Sequence, residues 1–369
     1  MTLYPWAIRP WLFSADPEWI HDRSIRFAEQ IGRHPLLYRA LASRQPAPDP
    51  RLAVEFAGLK FSHPLGMAAG YDKSGRAVTA LGAIGFSHVE IGSISADPSA
   101  GNPRPRLFRI VADRGIVVNY GLPNDGAERI AARLAHTPRL VPLGINLVNT
   151  NRGAQAPSET DDDILHDYVA SAQRLRPWAD YFCLNLSCPN TREGRGFFAD
   201  HGRLRQLLGL FDEHNFGCPI ILKVAPFLGT KELESFLEAA SASRCVSGFA
   251  VNLPPGKPVG LATSGDELAR MPGAVSGRPC EAVINRTLAE LYRRMDRTRY
   301  RLIAAGGVFT AEDAYRKIRL GATLVQLMTG LIYEGPGLPG RIVAGLAQLL
   351  ARDGLPGISA AVGLDVVRG

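Results

Sequence analysis

The segment 181–191 reads YFCLNLSCPNT, and it decides the fold that this sequence predicts. Its first residues are apolar and typical of a buried strand, whereas Asn185 to Thr191 carry amide, thiol and hydroxyl groups. Ligands of parallel α/β folds lie at the carboxyl ends of the strands, so the pattern indicates a strand that presents functional groups to a ligand. Cys188 is the reactive member, because a thiolate can act as a base or a nucleophile. A polar turn with a buried thiol is the alternative interpretation.

Seven further apolar runs share this design, since each ends in a polar or glycine residue and helical patterns lie between them. The runs are 64–68, 88–92, 141–145, 220–222, 248–251, 301–305 and 323–327. Helices are predicted at 163–176, 204–213, 231–241 and 311–320, the last with Thr310 as its N-cap. Eight strand–helix units predict a (β/α)8 barrel with its site at the carboxyl ends of the strands. A doubly wound open sheet competes, but the first strand lacks a following G-x-G-x-x-G.

Residues 1–45 precede the barrel and predict two amphipathic helices, followed by a hairpin at 52–61. Asp16 is a predicted N-cap, with Pro17 at the first helical position. The apolar residues of these helices are too many for a small solvated face. They indicate either an extra layer packed on the barrel or a surface that meets a membrane and admits a lipophilic ligand. We therefore divide the chain into an N-terminal helical region, 1–45, and a barrel domain, 46–369.

Composition narrows the classes of function. With 369 residues, of which 46% are hydrophobic, the chain can bury a barrel-sized core. Its net charge of +7 favours an anionic ligand or membrane surface, although a bias toward arginine explains it equally well. No nucleic-acid module is recognisable, nor is a signal peptide or a membrane-spanning run. The five cysteines are scattered without a CxxC pair, which indicates neither a disulfide framework nor a zinc site.

Nine motifs spread over the chain together identify a family. They are Tyr4-Pro5, 9–13 (RPWLF), 16–18 (DPE), 64–73 (PLGMAAGYDK), 90–93 (EIGS), 105–109 (PRLFR), 185–191 (NLSCPNT), 276–279 (SGRP) and 352–354 (RDG). Over almost its whole length the chain resembles, in these motifs, the dihydroorotate dehydrogenases of the membrane-associated, quinone-linked class. The resemblance implies a barrel with FMN across its mouth, oxidation of dihydroorotate to orotate in pyrimidine biosynthesis, and a quinone acceptor that enters between the N-terminal helices. It also implies a peripheral position on the cytoplasmic side of a membrane.

The resemblance further implies roles for single residues. Cys188 takes the position of the base that removes the substrate's proton, and Lys73 faces both the flavin and the substrate carboxylate. The implied FMN contacts are Ala68, Ala69, Gly70, Lys73, Ser93, Asn146, Asn185, Lys223, Gly277, Gly306, Gly307, Met328 and Thr329. The implied substrate contacts are Lys73, Asn119, Asn124, Asn185, Asn190 and Asn252.

Three positions depart from the pattern of the quinone-linked class. Cys188 stands where that class carries serine, cysteine being usual in the soluble class. Val118 occupies the place of a substrate-binding asparagine, unless a shift of one residue lets Asn119 serve. Leu253 stands where serine or threonine is usual, and each lost polar contact costs about 1–3 kcal/mol if the ligand group stays unpaired. Two other interpretations therefore remain: the same chemistry on another cyclic amide or enoate-like compound, and a flavin-binding protein with little turnover.

Overall fold

Eight parallel strands close into a barrel in the computed structural model, which describes residues 4–153, 155–188, 196–227, 229–251 and 253–367. The strands are β1 (Val54–Phe56), β2 (Leu59–Phe61), β3 (Leu65–Met67), β4 (Val89–Ile94), β5 (Leu107–Ile110), β6 (Gly115–Val118), β7 (Leu143–Leu147), β8 (Tyr181–Asn185), β9 (Ile220–Val224), β10 (Val246–Val251), β11 (Ala274–Gly277), β12 (Arg301–Ala304) and β13 (Ala322–Leu327). Around the barrel the order is β3-β4-β7-β8-β9-β10-β12-β13, and β13 pairs with β3. All eight predicted strands are therefore confirmed, and the open sheet is excluded.

Helices surround this barrel and alternate with its strands, as the sequence predicts. They are α1 (Arg9–Ser14), α2 (Pro17–Arg33), α3 (Pro35–Ala42), α4 (Val78–Ala83), α5 (Ala127–Leu134), α6 (Asp161–Leu175), α7 (His201–His214), α8 (Thr230–Ser241), α9 (Gly265–Ala269), α10 (Glu281–Arg294), α11 (Ala311–Arg319), α12 (Thr329–Glu334), α13 (Leu338–Arg352) and α14 (Leu364–Val367). The Thr310 side chain accepts a hydrogen bond from the Asp313 N–H, and the Asp313 side chain accepts one from the Thr310 N–H, which completes a capping box. The predicted N-cap of α11 is thus confirmed.

The barrel interior carries a polar layer where apolar packing is the rule for this architecture. Glu90, Asn146, Tyr181 and Gln326 come from four different strands, and their side chains hydrogen-bond to one another inside the barrel. The outer faces of the same strands carry residues such as Ile91 that join the main hydrophobic core. Each strand therefore separates an apolar shell outside from a hydrogen-bonded network inside.

A small antiparallel sheet, which the sequence did not predict, lies outside the barrel sheet. It has the order β11-β6-β5 and pairs Val118 with both Leu107 and Ala274. The β5–β6 hairpin follows β4 in the sequence, and β11 lies in the connection after β10 and pairs with β6. This sheet brings Val118 and Gly277 into the neighbourhood of the barrel mouth.

The N-terminal helices pack against the barrel beside α4. Asp16 caps α2 by accepting a hydrogen bond from the Trp19 N–H at 2.8 Å, with Pro17 first in the helix, as predicted. The predicted hairpin is also present, with Val54 opposite Phe61. Glu18 of α2 accepts a hydrogen bond from Arg106 at 2.9 Å, and this buried contact fastens α2 to the segment before β5. Within the described ranges, no helix is both long and apolar enough to cross a bilayer.

Candidate active site

A cavity at the carboxyl end of the barrel contains the predicted base. We call it the thiol cavity; Lys73, Ser93, Asn185 and Cys188 line it from the loops and ends of β3, β4 and β8. Cys188 is buried and 6% exposed. Parallel strands place all these side chains at one mouth, because their carboxyl ends coincide. Four residues predicted from three separate parts of the chain therefore meet in one cavity.

A second cavity, the glycine cavity, adjoins the first. Its lining includes six residues that the resemblance assigns to the flavin: Ala68, Lys223, Gly277, Gly306, Gly307 and Thr329. The two cavities share Ala69, Lys223, Leu253 and Met328, so they adjoin at the barrel mouth, and we call the two together the groove.

The glycine cavity is built for close approach of backbone to a ligand. Gly307 has a φ of +74°, and a Cβ there would lie 2.6 Å from the Cβ of Glu281. Gly277 has a φ of +97°, and its Cβ would lie 2.6 Å from the carbonyl oxygen of Arg114. Glycine alone tolerates both the dihedral and the contact. These glycines lie together in one cavity, and backbone N–H groups of loops late in a barrel are the usual ligands of a phosphate dianion, so the residues present fit FMN.

A chain of side chains links the floor of the thiol cavity to the barrel interior. Asn185 Nδ2 donates to Ser93 Oγ at 3.0 Å, and Ser93 in turn donates to Asn146. Asn146 Nδ2 then donates to Glu90 Oε1 at 3.0 Å. The two predicted amide contacts and the predicted hydroxyl contact are thus locked in one orientation before a ligand arrives. Such preorganisation lowers the cost of binding a polar ring.

Glu90 and Lys223 form a buried ion pair at the end of this chain. The Lys223 Nζ lies 3.4 Å from Glu90 Oε1, and both side chains are almost completely buried. Burial alone would raise the pKa of Glu90, but the Lys223 charge and hydrogen bonds from Gln326, Asn146 and Tyr181 outweigh it and lower that pKa. Burial would likewise lower the pKa of Lys223, and the Glu90 charge raises it instead. Lys223 therefore reaches the groove as a fixed cation.

The departures from the family pattern line the same thiol cavity. Val118 reaches it from β6 and Leu253 from the loop after β10. The lining of the thiol cavity therefore combines these apolar side chains with amide, hydroxyl and thiol groups. Asn190 and Asn252, which the resemblance assigns to the substrate, lie outside the described residues.

Asn119 and Asn124 are not among the residues that line the thiol cavity. The Asn119 side chain accepts a hydrogen bond from Asn102 at 3.1 Å. Asn124 donates to Ser95 at 2.9 Å and accepts from the Gly126 N–H, which holds the loop before α5. Asn124 also lines a neighbouring cavity together with Lys73. The structure thus places both amides in loop contacts, and their assignment to the substrate stays a prediction.

Lys73 lies at the edge of the thiol cavity beside two groups that the sequence analysis did not select. Its Nζ lies 2.9 Å from His21 Nε2 and 3.9 Å from the centre of the Tyr120 ring. Burial lowers the pKa of Lys73 to about 8, despite the nearby carboxylate of Asp22. Burial and the Lys73 charge lower the pKa of His21 well below its ordinary value. Lys73 is thus the cation of the site that can lose its proton near neutral pH.

A larger apolar cavity of about 400 Å³ lies under the N-terminal helices. Its walls come from α1 and α2 on one side and from β5, β6 and α12 on the other, and most are aliphatic or aromatic. Arg109 is a charged exception; it donates to the carbonyl oxygen of Ala15 at 2.8 Å and stacks over Phe13. A cavity of this size and polarity suits a lipophilic ring.

Three residues of the site escaped the sequence analysis. Glu90 was visible as a carboxylate inside an apolar strand, a pattern that burial penalises unless a partner exists. His21 and Tyr120 gave no such signal, because a histidine in a surface helix and a tyrosine in a loop are common. Only the packing of α2 on the barrel mouth brings them to Lys73.

The comparisons with known proteins agree with this geometry. A family model described as "Dihydroorotate dehydrogenase" matches residues 51–350. A protein of Anaeromyxobacter dehalogenans named "Dihydroorotate dehydrogenase (quinone)" is 41% identical, covering 98% of this chain and 97% of its own length. A protein of Natronomonas pharaonis with the same name is 37% identical over 99% of this chain and all of its own length.

Solved structures show the same architecture. The DHODH of Eimeria tenella in complex with ferulenol superimposes with a TM-score of 0.81 at 28% identity, covering 95% of this chain and 96% of that one. A ligand-free form of the Eimeria tenella protein gives a TM-score of 0.80 at 29% identity, over 95% and 99% of the two chains. The N-terminal helices and the barrel are both included in spans of this extent.

Proposed function

Because this chain belongs to the dihydroorotate dehydrogenase family, we propose that it oxidises dihydroorotate to orotate with FMN and passes the electrons to a quinone. The observation that carries the proposal is the groove in which Cys188, Lys73, Asn185 and the glycine cavity meet. Relatives with 37–41% identity over almost the whole chain are named for this reaction. The alternatives of another substrate or of a protein with little turnover have no comparable support.

The residues of the groove divide the work. Backbone of Gly277, Gly306 and Gly307 would hold the phosphate of FMN, and the Lys223 cation would favour negative charge on the bound flavin. The Asn185 amide and the Ser93 hydroxyl would orient the polar edges of the flavin and the substrate. Bound FMN supplies the acceptor for a hydride from the substrate.

Cys188 acts as the base that removes a proton from the substrate. Its Sγ accepts the acidic proton from the carbon next to the substrate's carbonyl group and later releases it to solvent. Lys73 neutralises the substrate carboxylate at the edge of the same cavity. The apolar wall of Val118 and Leu253 excludes water from the reacting bond, which strengthens every charge interaction inside the cavity.

Product stoichiometry tests this assignment. The protein with its bound flavin, given dihydroorotate and a soluble ubiquinone analogue, should form orotate and quinol in equal amounts. Without the quinone, orotate should stop at one molecule per flavin. Orotate that stays at one molecule per flavin even when the quinone analogue is present would contradict the proposed acceptor.

We also propose that the quinone occupies the apolar cavity and enters it between α1 and α2. Support comes from its apolar walls, from its volume, and from β6, which contributes Ile116 to this cavity and Val118 to the thiol cavity. A lipophilic ring in the apolar cavity is therefore close to the groove without sharing water with it. Residues 1–45 then serve as an entry region for the acceptor, and residues 46–369 as the FMN domain.

Filling the apolar cavity should block the acceptor and leave the donor unaffected. Ala28 lines the cavity from α2, so Ala28→Trp should slow reoxidation of the reduced flavin by quinone roughly tenfold to a hundredfold. Reduction by dihydroorotate should stay unchanged in stopped-flow measurements. Gln30→Trp, an exposed position of the same helix, is the matched control. Equal reoxidation rates in both variants would move the quinone elsewhere.

We further propose that the N-terminal helices rest on a membrane surface, on its cytoplasmic side. Large apolar side chains are exposed here, including Trp6 (75%), Trp11 (70%) and Leu36 (83%). Ile8 and Phe27 are exposed as well, and both also line the apolar cavity. A membrane would cover this surface and deliver a quinone from its apolar phase.

Vesicle binding tests the membrane proposal. The double substitution Trp6→Ser/Trp11→Ser should weaken cosedimentation with anionic phospholipid vesicles by about tenfold or more for each tryptophan removed. Val259→Ser is the control, because Val259 is fully exposed but lies in the loop after β10. Unchanged binding of the double variant, or equal loss in the control, would exclude the N-terminal surface as the contact.

A further inference from the structure

The contact between Lys73 and His21 lies where three cavities meet. Lys73 lines the thiol cavity, and His21 lines the apolar cavity. Both also line a third space of about 420 Å³, which we call the polar cleft. The 2.9 Å between Lys73 Nζ and His21 Nε2 is therefore a direct polar link from the proposed redox site to the proposed quinone site.

The polar cleft connects this pair with solvent. Its walls include the exposed Arg26 and the partly exposed Asp22, and it extends between α2 and the loop before α5. By contrast, the apolar cavity is lined mostly by aliphatic and aromatic groups. A proton can thus reach Lys73 and His21 from the cleft, whereas the walls of the apolar cavity offer few groups to carry it.

The hydrogen-bonding roles of the pair follow from their chemistry. An ammonium group has only donors, so Lys73 donates and His21 Nε2 accepts. A neutral imidazole then carries its proton on Nδ1. His21 can release the Nδ1 proton and take the Lys73 proton at Nε2, which leaves the other neutral tautomer; a flip of the ring then exchanges the two nitrogens before the next turnover. Burial lowers the pKa of Lys73 to about 8, so this lysine can give up its proton and regain one from the cleft.

The reaction needs one proton at the acceptor from outside the groove. Oxidation of dihydroorotate releases two electrons and two protons, and reduction of a quinone to a quinol consumes two of each. One of the released protons leaves through Cys188 to solvent. The quinone must therefore take up one proton from solvent for the overall reaction to balance.

We propose that Lys73 and His21 form a relay that carries this proton from the polar cleft to the quinone in the apolar cavity. The proposal rests on the proposed function, because it needs a quinone beside His21. His21 Nδ1 donates to the reduced quinone oxygen, Lys73 reprotonates His21 at Nε2, and the cleft reprotonates Lys73. His21 is the group of this pair that lines both the polar cleft and the apolar cavity.

Other charged and titratable groups surround the pair on every side. They are Glu18, Asp22 and Arg26 on α2, Tyr71 and Asp72 before Lys73, Arg76 after it, Arg106 before β5, Tyr120 after β6, and Asp125 before α5. Burial raises the pKa of both Tyr71 and Tyr120, so neither releases a proton near neutral pH. Arg106 is paired with Glu18, which fixes both charges. Lys73 and His21 are left as the pair that can exchange a proton between themselves.

The test separates the two half-reactions of the flavin-loaded protein. The flavin is reduced with dithionite in the absence of oxygen and then mixed with a ubiquinone analogue, so the result does not depend on dihydroorotate. His21→Gln should slow reoxidation about a hundredfold. His21→Gln should slow this reoxidation at least about tenfold more than it slows reduction of the oxidised variant by dihydroorotate, because His21 lines the apolar cavity and reaches the thiol cavity only through Lys73. His34→Gln, an exposed histidine at the end of α2, is the matched control.

Two further readouts distinguish a relay from a purely structural role. Added imidazole should restore reoxidation in His21→Ala, because the deleted ring opens onto the polar cleft. In the parent, the reoxidation rate should fall as the pH rises through about 8, and His21→Gln should lose this dependence. Parental reoxidation in His21→Gln, or failure of imidazole to restore His21→Ala, would overturn the relay. A parent that dihydroorotate does not reduce, but that quinone reoxidises with these same effects, would instead overturn the proposed substrate.

Discussion

Replacing Cys188 with alanine should slow reduction of the bound flavin by dihydroorotate about 10²- to 10⁴-fold, while the protein keeps its FMN. The reason is positional: Cys188 is the thiol in the cavity that also holds Lys73 and Asn185, and alanine cannot accept a proton. FMN should remain bound because the glycine cavity, where we propose that its phosphate lies, is not lined by Cys188. Stopped-flow absorbance under anaerobic conditions gives the rate, and the visible spectrum gives the flavin content.

Cys218→Ala is the control for this experiment. Cys218 lies just before β9, outside the cavities of the barrel mouth, and burial raises its pKa to about 11. Its removal should leave the reduction rate unchanged. If Cys188→Ala were reduced at the parental rate, another group would be the base, and Lys73 would be the first to consider. Cys188→Ser then shows whether a hydroxyl, usual in the quinone-linked class, works with the apolar wall of Val118 and Leu253.

Replacing Lys223 with methionine should destabilise the folded protein by about 3–5 kcal/mol at neutral pH, because it leaves Glu90 charged and buried without its cation. Glu90 is completely inaccessible, and its remaining partners are the neutral groups of Asn146, Tyr181 and Gln326. The double variant Glu90→Gln/Lys223→Met should recover most of this loss. Urea unfolding of the three proteins measures the difference.

The pH dependence of this variant has a definite sign. In the parent the pKa of Glu90 is lowered, so its contribution to stability is present above the unfolded pKa and lost as the pH falls through the folded one. Without Lys223, burial raises the Glu90 pKa, and the folded state then binds more protons than the unfolded state. Stability of Lys223→Met should therefore fall as the pH rises from about 5 to 8. The pair formed by the exposed Arg33 and the partly buried Glu29 is the control, since Arg33→Ala should cost no more than about 1 kcal/mol.

If Lys223→Met lost no more unfolding free energy than the surface control, the Glu90–Lys223 pair would contribute little to stability. The buried network would then serve only to orient the side chains of the site. The flavin should in either case bind more weakly to this variant, because Lys223 lines both halves of the groove.

Much of the fold could be predicted because strand–helix alternation leaves a local trace in the sequence. The strand at 181–185 was recognisable from its apolar run and polar ending, and the cap at Thr310 from residue type alone. The sheet formed by β5, β6 and β11 was not predicted. Its strands are short, and β11 joins β6 across a separation in sequence that local patterns do not encode.

The site divides in the same way. Residues at strand ends, such as Ser93 and Asn185, meet because the fold aligns those ends. Asn119 and Asn124 follow β6, and their side chains are oriented by hydrogen bonds with Asn102 and Ser95. No sequence motif predicts these contacts. His21 reaches Lys73 only through the packing of a separate helix on the barrel mouth.

Anaerobic mixing of the purified yellow protein with dihydroorotate alone tests the central claim most directly. We expect rapid loss of the flavin's visible absorbance, followed by its return when a ubiquinone analogue is added. That result would also show that the cavity accepts dihydroorotate with Val118 and Leu253 in its wall. A flavin that dithionite reduces but dihydroorotate leaves oxidised would contradict the assignment of this substrate.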